Sequence, residues 1–258
     1  MATPFFVRTT SDVTAKANKQ TINNMKRNRV LVIGDTHAPA MHRDYIPFLK
    51  SIQKKYNCNK VVHIGDLVDW ASISYHPKAP SLMDSEKEFR KAQKQVQRLH
   101  KAFPKATWCI GNHDSLTERK AADLGLPLSV LKGYKELWGL DGWDVVPRYE
   151  SATIDGVIYQ HGDRGKGGQL CAAYLNAQEE HASVVQGHLH AQFGVLYHAN
   201  KANRVFGMQV GCGVDYKLEA MAYGKKYNRK PILGCGVVLN GVTAICEPMK
   251  IGTVTKGK

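Results

Sequence analysis

The sequence contains no apolar run long enough to cross a bilayer. Near the N-terminus the only short apolar run is Phe5 to Val7, which is too brief for the core of a signal peptide. The six cysteines are widely separated and include no C-x-x-C pair, which argues against a dense disulfide scaffold and the usual thiolate zinc sites. The chain also has no internal repeat or low-complexity tract. We therefore expect a cytoplasmic protein with reduced, mostly buried thiols and no membrane association.

Acidic residues are scarce as well. The 22 Asp and Glu residues are outnumbered by 36 Lys and Arg, and the formal net charge is +14. Such a surplus attracts polyanions, so DNA or RNA is the candidate partner, and a basic surface without a specific partner is the alternative. With 258 residues, 43% of them hydrophobic, the chain is long enough for one globular domain. We predict a basic arm or lead-in over residues 1–29, a single domain over 30–250 and a tail over 251–258.

Strand and helix patterns alternate in the first half of the predicted domain. Apolar runs that end at glycine predict buried strands, and apolar residues at helical spacing predict amphipathic helices. For the second helix, Ser85 and Glu88 form a capping-box pattern, and Pro104 follows the last apolar position. The predicted elements are a strand at Val30–Ile33, a helix over Tyr45–Tyr56, a strand at Val61–Ile64, a helix from Ser85 to Phe103 and a strand at Ala106–Ile110. The order strand, helix, strand implies a parallel pair with a crossover helix.

Strand patterns dominate the second half. Residues 115–148 contain short helical patterns together with Trp138 and Trp143, whose rings we expect in the core. The strands predicted after them are Ala152–Gln160, Val184–Gln186, Gln192–Tyr197, Arg204–Val210 and a hairpin of Gly236–Leu239 with Val242–Cys246 around the Asn240-Gly241 turn. Together the two halves predict a layered α/β sandwich.

Metal-capable side chains follow directly after the glycine that ends each of the first three strands. Because the carboxyl ends of strands in an α/β sheet face one crevice, side chains placed there converge. An Asp-x-His or His-x-His pair also directs both side chains to the same side of an extended segment. The five clusters are Gly34-Asp35-Thr36-His37, Gly65-Asp66-Leu67-Val68-Asp69, Gly111-Asn112-His113-Asp114, Gln160-His161-Gly162 and Gly187-His188-Leu189-His190. We expect all five to surround one site.

The residue types in these clusters indicate which ions the site would take. Carboxylate, amide and imidazole ligands without thiolate suit Mn²⁺, Fe²⁺ or Zn²⁺. Two ions roughly 3.5 to 4 Å apart need a bridging carboxylate, and the second cluster contains one. The isolated histidines outside the clusters are assigned no role; they are His42, His63, His76, His100, His181 and His198.

The ordered clusters, from Val30 to His190, strongly resemble the calcineurin-like metallophosphoesterase family. The resemblance implies an α/β/β/α sandwich that hydrolyses phosphate esters with metal-activated water at two divalent ions, Mn²⁺ foremost, with Fe²⁺, Zn²⁺ or Ni²⁺ as alternatives. It implies that Asp35, His37 and His190 hold the first ion. It further implies that Asn112, His161 and His188 hold the second ion and that Asp66 bridges the two. His113 would be catalytic without being a ligand, and Asp69 or Asp114 would be its partner.

Two departures indicate the branch of the family. Protein phosphatases of the family typically have Asp-Arg-Gly after the second cluster and Gly-Asn-His-Glu at the third, whereas this chain has Asp69-Trp70-Ala71 and ends its third cluster with Asp114. The Gly-Asn-His-Asp form looks more like phosphodiesterases and nucleases. A phosphodiesterase is therefore the leading hypothesis, and a nuclease acting on DNA or RNA is one form that it can take. The alternatives are a broad phosphomonoesterase, a protein phosphatase or a nucleic-acid-binding protein without catalysis.

Basic residues near the fourth cluster are candidates for substrate contacts. Arg164 and Lys166 lie in a glycine-rich loop after His161, where they would contact a phosphate or face water. Asn112 is a further candidate for a substrate contact besides its implied ligand role. The basic face of the second helix, from Lys87 to Lys101, is solvated surface or a nucleic-acid contact.

Overall fold

The computed structural model describes residues 28–75, 80–166, 168–215, 217–218 and 230–250. Residues 1–27 of the predicted basic arm, the tail over 251–258 and His76 lie outside the described residues. The boundaries predicted for the arm and the tail therefore stay predictions. None of the described helices is long and apolar enough to span a bilayer.

The first sheet has six strands in the order β11-β10-β1-β2-β3-β4. Strands β1 to β4 run parallel, as predicted for the first pair, while β10 is antiparallel to β1 and β11 is antiparallel to β10. The bounds are β1 Arg29–Ile33, β2 Lys60–His63, β3 Ala106–Cys109, β4 Trp143–Val146, β10 Gly234–Leu239 and β11 Thr243–Pro248. The carboxyl ends of four parallel strands thus lie at one edge.

The second sheet has five strands in the order β5-β6-β7-β9-β8. Its central strands β6, β7 and β9 are parallel, and the two edge strands are antiparallel to their neighbours. The bounds are β5 Ala152–Ile154, β6 Val157–Gln160, β7 Ser183–Gln186, β8 Phe193–Ala199 and β9 Arg204–Val210.

Strand β1 shows how the layers are assembled. Successive side chains of a strand point to opposite faces, and both faces of β1 are apolar. Val30 and Val32 pack between the two sheets, whereas Leu31 and Ile33 pack against the helices. The part of the chain that the structure describes contains five α-helices: α1 Tyr45–Tyr56, α2 Ser85–Ala102, α3 Leu116–Asp123, α4 Tyr134–Trp138 and α5 Ala172–Glu179.

The outer layers complete the expected α/β/β/α sandwich. Helices α1 and α2 cover the first sheet with Leu49 and Val96, among others. Helix α5 covers the second sheet so closely that a Cβ on Gly207 would lie 2.2 Å from the backbone nitrogen of Tyr174. Trp138 and Trp143 are buried in the core, as predicted.

Two sequence predictions need correction, and two elements were missed. Helix α2 is capped by Asp84, whose side chain accepts from the Lys87 N–H, so the proposed Ser85 cap is wrong by one residue. The Glu88 carboxylate accepts instead from the N–H groups of Ala71 and Ser72. The single strand predicted over 152–160 is a hairpin, because Asp155 and Gly156 both adopt positive φ in a tight turn. Strand β4 and helix α5 were not predicted.

All six cysteines are unpaired thiols, as expected. Four of them are buried, and Cys171 and Cys246 are partly exposed. Burial raises the pKa of Cys109 and that of Cys212 to about 12.

Candidate metal centre

The five predicted clusters meet at the edge where the parallel strands of both sheets end. Their backbones are joined there: the N–H groups of Thr36 and His37 donate to the Asp66 carbonyl, and the Gly187 N–H donates to the His161 carbonyl. The eight predicted side chains form one contact network around this edge. They are Asp35, His37, Asp66, Asn112, His113, His161, His188 and His190.

The first group consists of Asp35, His37 and His190, whose ligand atoms all lie within 4.8 Å of one another. The Nε2 atom of His190 is 3.1 Å from Asp35 Oδ2 and 3.1 Å from His37 Nε2. Asp35 is fully buried, and its Oδ1 atom has no hydrogen-bond partner within the described residues. A buried carboxylate oxygen without a donor is costly unless a cation compensates it.

The second group consists of Asp66, His161 and His188, again within 4.8 Å. The Nε2 atom of His161 lies 3.2 Å from Asp66 Oδ2 and 3.0 Å from Asn112 Oδ1, so the amide belongs to the same cluster. The His188 ring packs edge-on against His161 with centroids 5.1 Å apart.

Asp66 connects the two groups. Its Oδ2 atom lies 3.6 Å from His37 Nε2 on one side and 3.2 Å from His161 Nε2 on the other. Its Oδ1 atom accepts from the His113 N–H at 2.8 Å, which fixes the rotation of the carboxylate. A carboxylate held in this way between two sets of ligands has the placement that a bridge between two ions requires.

Hydrogen bonds on the far side of two imidazoles direct their Nε2 atoms into the centre. His37 donates from Nδ1 to Asp69 Oδ1 at 2.8 Å, because a carboxylate can only accept. Burial lowers the pKa of His37, so the neutral ring keeps its lone pair on Nε2. His161 donates from Nδ1 to the Ile64 carbonyl at 3.1 Å. Such outer contacts are the usual way in which proteins orient metal-binding histidines.

The glycines that end the strands are needed for close approach. A Cβ on Gly111 would lie 2.2 Å from Asp66 Oδ1, and a Cβ on Gly187 would lie 2.1 Å from Asp35 Oδ1. Both distances are far below any normal contact, so only glycine lets these carboxylates reach their positions. The glycines in front of the second, third and fifth clusters therefore make room for a side chain of a different cluster.

Burial and neighbouring charges shift the pKa values of the buried groups in the centre in opposite directions. Burial opposes ionisation of Asp66, yet the nearby His161 and His113 hold its pKa well below the usual range. Burial likewise disfavours cationic His161 and His113, but the negative charge of Asp66, with hydrogen bonds to carboxylates, raises the pKa of each to about 10. Binding of a cation would displace the His161 proton, because a ligating imidazole must be neutral. The buried carboxylates, neutral His37 and absence of thiolate suit borderline or hard divalent cations.

A sequence comparison agrees with this geometry. The model of the calcineurin-like phosphoesterase family matches residues 28–211, which is more than half of the chain. The chain belongs to the calcineurin-like phosphoesterase family. Members of this family use divalent metal ions, and the His and Asp groups described above could hold them.

Other comparisons show only distant likeness. No curated protein matches the chain significantly. Among solved structures, Vacuolar Protein Sorting 29 from Cryptosporidium parvum is 13% identical with a TM-score of 0.44, covering 87% of this chain and 99% of that chain. Nuclease MPE from Pseudomonas putida is 14% identical with a TM-score of 0.36, covering 85% of this chain and 87% of that chain. The phosphoesterase Yfce from E. coli is 11% identical with a TM-score of 0.37, covering 81% of this chain and 87% of that chain.

The two acidic neighbours considered for His113 have different roles in this phosphoesterase. His113 donates from Nδ1 to the Asp69 carbonyl at 2.7 Å and also lies 3.3 Å from Asp69 Oδ1. Asp114 instead accepts from the N–H groups of Gly111 and Val68 and from the Trp108 indole. Asp69 is therefore the partner of His113, and Asp114 shapes the loop.

The two basic residues predicted to contact substrate are engaged elsewhere. Arg164 donates to the side chain of Gln160 and to the carbonyl of Tyr149. Lys166 Nζ lies 3.0 Å from the carboxylate of Glu179 on α5. Their role in substrate binding stays a prediction.

Two arginines that the sequence did not single out reach the loop of the third cluster. Arg119 donates to the Asn112 carbonyl at 3.4 Å, and Arg148 donates to the Ser115 hydroxyl at 3.3 Å. For Arg119, the sequence offered one indication of its place near the site, since it follows His113 by less than two helical turns. The position of Arg148, after β4, could not be inferred because that strand was not predicted.

His63, to which the sequence assigned no role, is packed behind the centre. It accepts from the Gly65 N–H at Nδ1, and its Nε2 lies 3.1 Å from the Thr36 hydroxyl. Burial lowers its pKa to about 3, so the ring is a neutral link between the first two clusters.

Proposed function

We propose that this phosphoesterase hydrolyses phosphodiesters with two divalent ions. The observation that carries the proposal is the position of Asp66, whose Oδ2 atom contacts ligand atoms of both groups. Asp35, His37 and His190 would hold one ion. Asn112, His161 and His188 would hold the other, and Asp66 would hold both. Mn²⁺ fits these oxygen and nitrogen ligands, with Fe²⁺, Zn²⁺ and Ni²⁺ as alternatives.

When bound, such ions lower the pKa of water and offset negative charge on phosphoryl oxygens. The protein's own contribution is orientation. The Asp69 carboxylate orients His37, and the Asp69 backbone carbonyl orients His113. The His113 ring packs 4.6 Å from the His37 ring at the border of the centre, where its Nε2 proton would be donated to the leaving oxygen.

The three positions at which a phosphate-binding cation was considered favour a diester over a monoester. The position at which protein phosphatases of the family carry arginine is Trp70, which is buried in the core and stacks on Phe89 with centroids 5.9 Å apart. Arg164 and Lys166 are also held near α5. A phosphomonoester has one more charged oxygen than a diester, and within the described residues these positions offer no free cation for it.

The test is metal reconstitution of the full-length protein. Metal-stripped protein is reloaded with Mn²⁺, Fe²⁺, Zn²⁺, Ni²⁺ or Mg²⁺ and assayed with bis(p-nitrophenyl) phosphate and p-nitrophenyl phosphate, while bound metal is measured by mass spectrometry. We expect two ions per chain and preference for the diester. Preference for the monoester would replace the proposal with a phosphomonoesterase, and activity that survives metal removal would overturn it.

Substitution of Asp66 tests the bridge directly. We expect Asp66→Asn to abolish nearly all turnover and to lower the bound metal, because an amide oxygen bridges two cations poorly. Asp144→Asn is the matched control, since Asp144 is exposed on β4. Full activity of Asp66→Asn with two ions per chain would refute the bridging role.

A further inference from the structure

Two exposed tyrosines are each packed against an arginine that reaches the loop of the third cluster. Tyr75 is 49% exposed and Tyr149 is 53% exposed. The Arg119 guanidinium carbon lies 4.8 Å from the centre of the Tyr75 ring, and Lys120 Nζ lies 3.5 Å from it. The Arg148 guanidinium carbon lies 4.4 Å from the centre of the Tyr149 ring.

The arginines connect both rings to the loop that carries Asn112 and His113. Arg119 contacts the Tyr75 ring and donates to the Asn112 carbonyl. Arg148 contacts the Tyr149 ring and donates to the Ser115 hydroxyl, which itself donates to the Asn112 carbonyl at 3.2 Å. Both tyrosines are therefore coupled to the position of the same catalytic loop.

The two tyrosines lie in the connections that follow the two neighbours of β3 in the first sheet. The loop follows β3, which lies between β2 and β4 in the first sheet. Tyr75 belongs to the segment after β2, and Tyr149 follows β4. The two rings therefore reach the loop through different arginines, from the connections after β2 and β4.

Hydrogen bonds and an ion pair fix the Tyr75 ring and the Arg148 guanidinium. The Tyr75 hydroxyl donates to Asp123 Oδ2 at 2.5 Å. Arg148 donates to Asp163 Oδ2 through Nε and lies 2.8 Å from it through Nη2 as well. Arg119 makes no ion pair with a carboxylate among the described residues, so its charge is available to a phosphate. Fixed aromatic faces lose little conformational freedom when a planar ligand stacks on them.

We propose that Tyr75 and Tyr149, with Arg119 and Arg148, form a rim that binds single-stranded nucleic acid by stacking bases on both sides of the scissile phosphate. Exposed aromatic rings with adjacent cations are the features by which proteins bind unpaired bases and their backbone. Bases in a duplex are stacked on each other and are not accessible to such rings. This inference rests on the proposed function and names the substrate class of the same site.

The test measures binding by fluorescence anisotropy with the full-length protein in EDTA, so that no strand is cleaved. The probes are a labelled oligothymidylate, an oligouridylate, a strand of equal length whose sugars carry no bases, and a duplex. We expect Tyr75→Leu and Tyr149→Leu each to weaken binding of the single strands about tenfold, since stacking contributes on the order of 1–3 kcal/mol per base. Binding of the strand without bases should be unchanged.

Matched variants separate stacking from other effects. Tyr75→Phe and Tyr149→Phe keep the ring and should retain most of the affinity. Tyr197→Leu is the control, because Tyr197 is another exposed tyrosine, on edge strand β8. The Arg204 guanidinium carbon lies 5.4 Å from the centre of its ring. This variant should bind like the wild type. Thermal melting of each variant checks the fold.

The outcomes distinguish this proposal from the proposed function. Equal wild-type affinity for strands with and without bases, or unchanged affinity in both Leu variants, would overturn the rim. Duplex binding as tight as single-strand binding would overturn the choice of single strands. Hydrolysis of bis(p-nitrophenyl) phosphate by the reloaded wild type is scored separately. A protein that shows the expected stacking but hydrolyses no diester would refute the proposed function while supporting the rim.

Discussion

Gly187 is a position where one added methyl group should damage the centre. An added Cβ would lie 2.1 Å from Asp35 Oδ1 and 2.4 Å from Ile64 Cγ2. The gap to the carboxylate must open by about 1.3 Å to reach the 3.4 Å of an ordinary contact. Asp35 is buried, and its Oδ2 atom already contacts His190 and the His188 N–H, so it has little freedom to move without breaking these contacts.

The expected effect of Gly187→Ala follows from that displacement. Overpacking of a buried site costs about 1–3 kcal/mol. For a chain of this size, each kcal/mol lowers the melting temperature by about 2–4 °C. A displacement of about 1 Å in a catalytic group can lower the rate on the order of a hundredfold. We therefore expect a folded, moderately destabilised variant with a much larger loss of diester turnover and weaker metal binding.

Calorimetric melting, metal titration and diester kinetics test this expectation together. Gly133→Ala is the matched control, because a Cβ at Gly133 meets nothing within 4 Å and its φ is −61°. The control should melt and turn over like the wild type. Wild-type metal affinity and turnover in Gly187→Ala would show that the close approach of Asp35 has no functional role.

The remaining predictions concern the neighbours of the ligands and the basic arm. His113→Gln should keep both metals and slow turnover by about 10²–10⁴, less so for diesters with good leaving groups, and loss of metal in this variant would identify His113 as a ligand. Asp69→Asn should weaken metal binding about 10–100-fold, because the outer hydrogen bond that orients His37 is impaired; unchanged affinity would contradict that role. On a single strand, log K for binding falls with log salt by roughly 0.7 for each contacted phosphate. Removal of residues 1–27 should therefore make the salt dependence of oligonucleotide binding less steep. An unchanged slope would exclude a contribution from the arm.

The convergence of the clusters could be predicted because it depends on a simple rule of sheet geometry. Apolar runs closed by glycine marked β1, β2 and β3, and the carboxyl ends of parallel strands share an edge. The sequence pattern alone did not show why glycine is needed there. That reason is a contact between distant segments, such as Gly111 with Asp66, and such contacts require the folded chain.

The elements that escaped prediction have weak local signals. Helix α5 buries Ala172, Ala173 and Ala177 rather than large apolar residues, because it lies very close to the second sheet at Gly207. Strand β4 has only four residues and buries mainly Trp143. In both cases tertiary packing determines the element, and a search for hydrophobic periodicity has little to detect.

The thiols described in the fold have a practical consequence for spectroscopy. Four cysteines are buried. Cys246 is partly exposed, but burial raises its pKa to about 12. These five thiols therefore remain protonated and react slowly with maleimides. Cys171 is the remaining partly exposed thiol, directly before α5, and its N–H donates to the Gln192 side chain. A fluorophore could be attached there without removal of any native cysteine, next to Gln192, which follows the predicted ligand His190 by two residues.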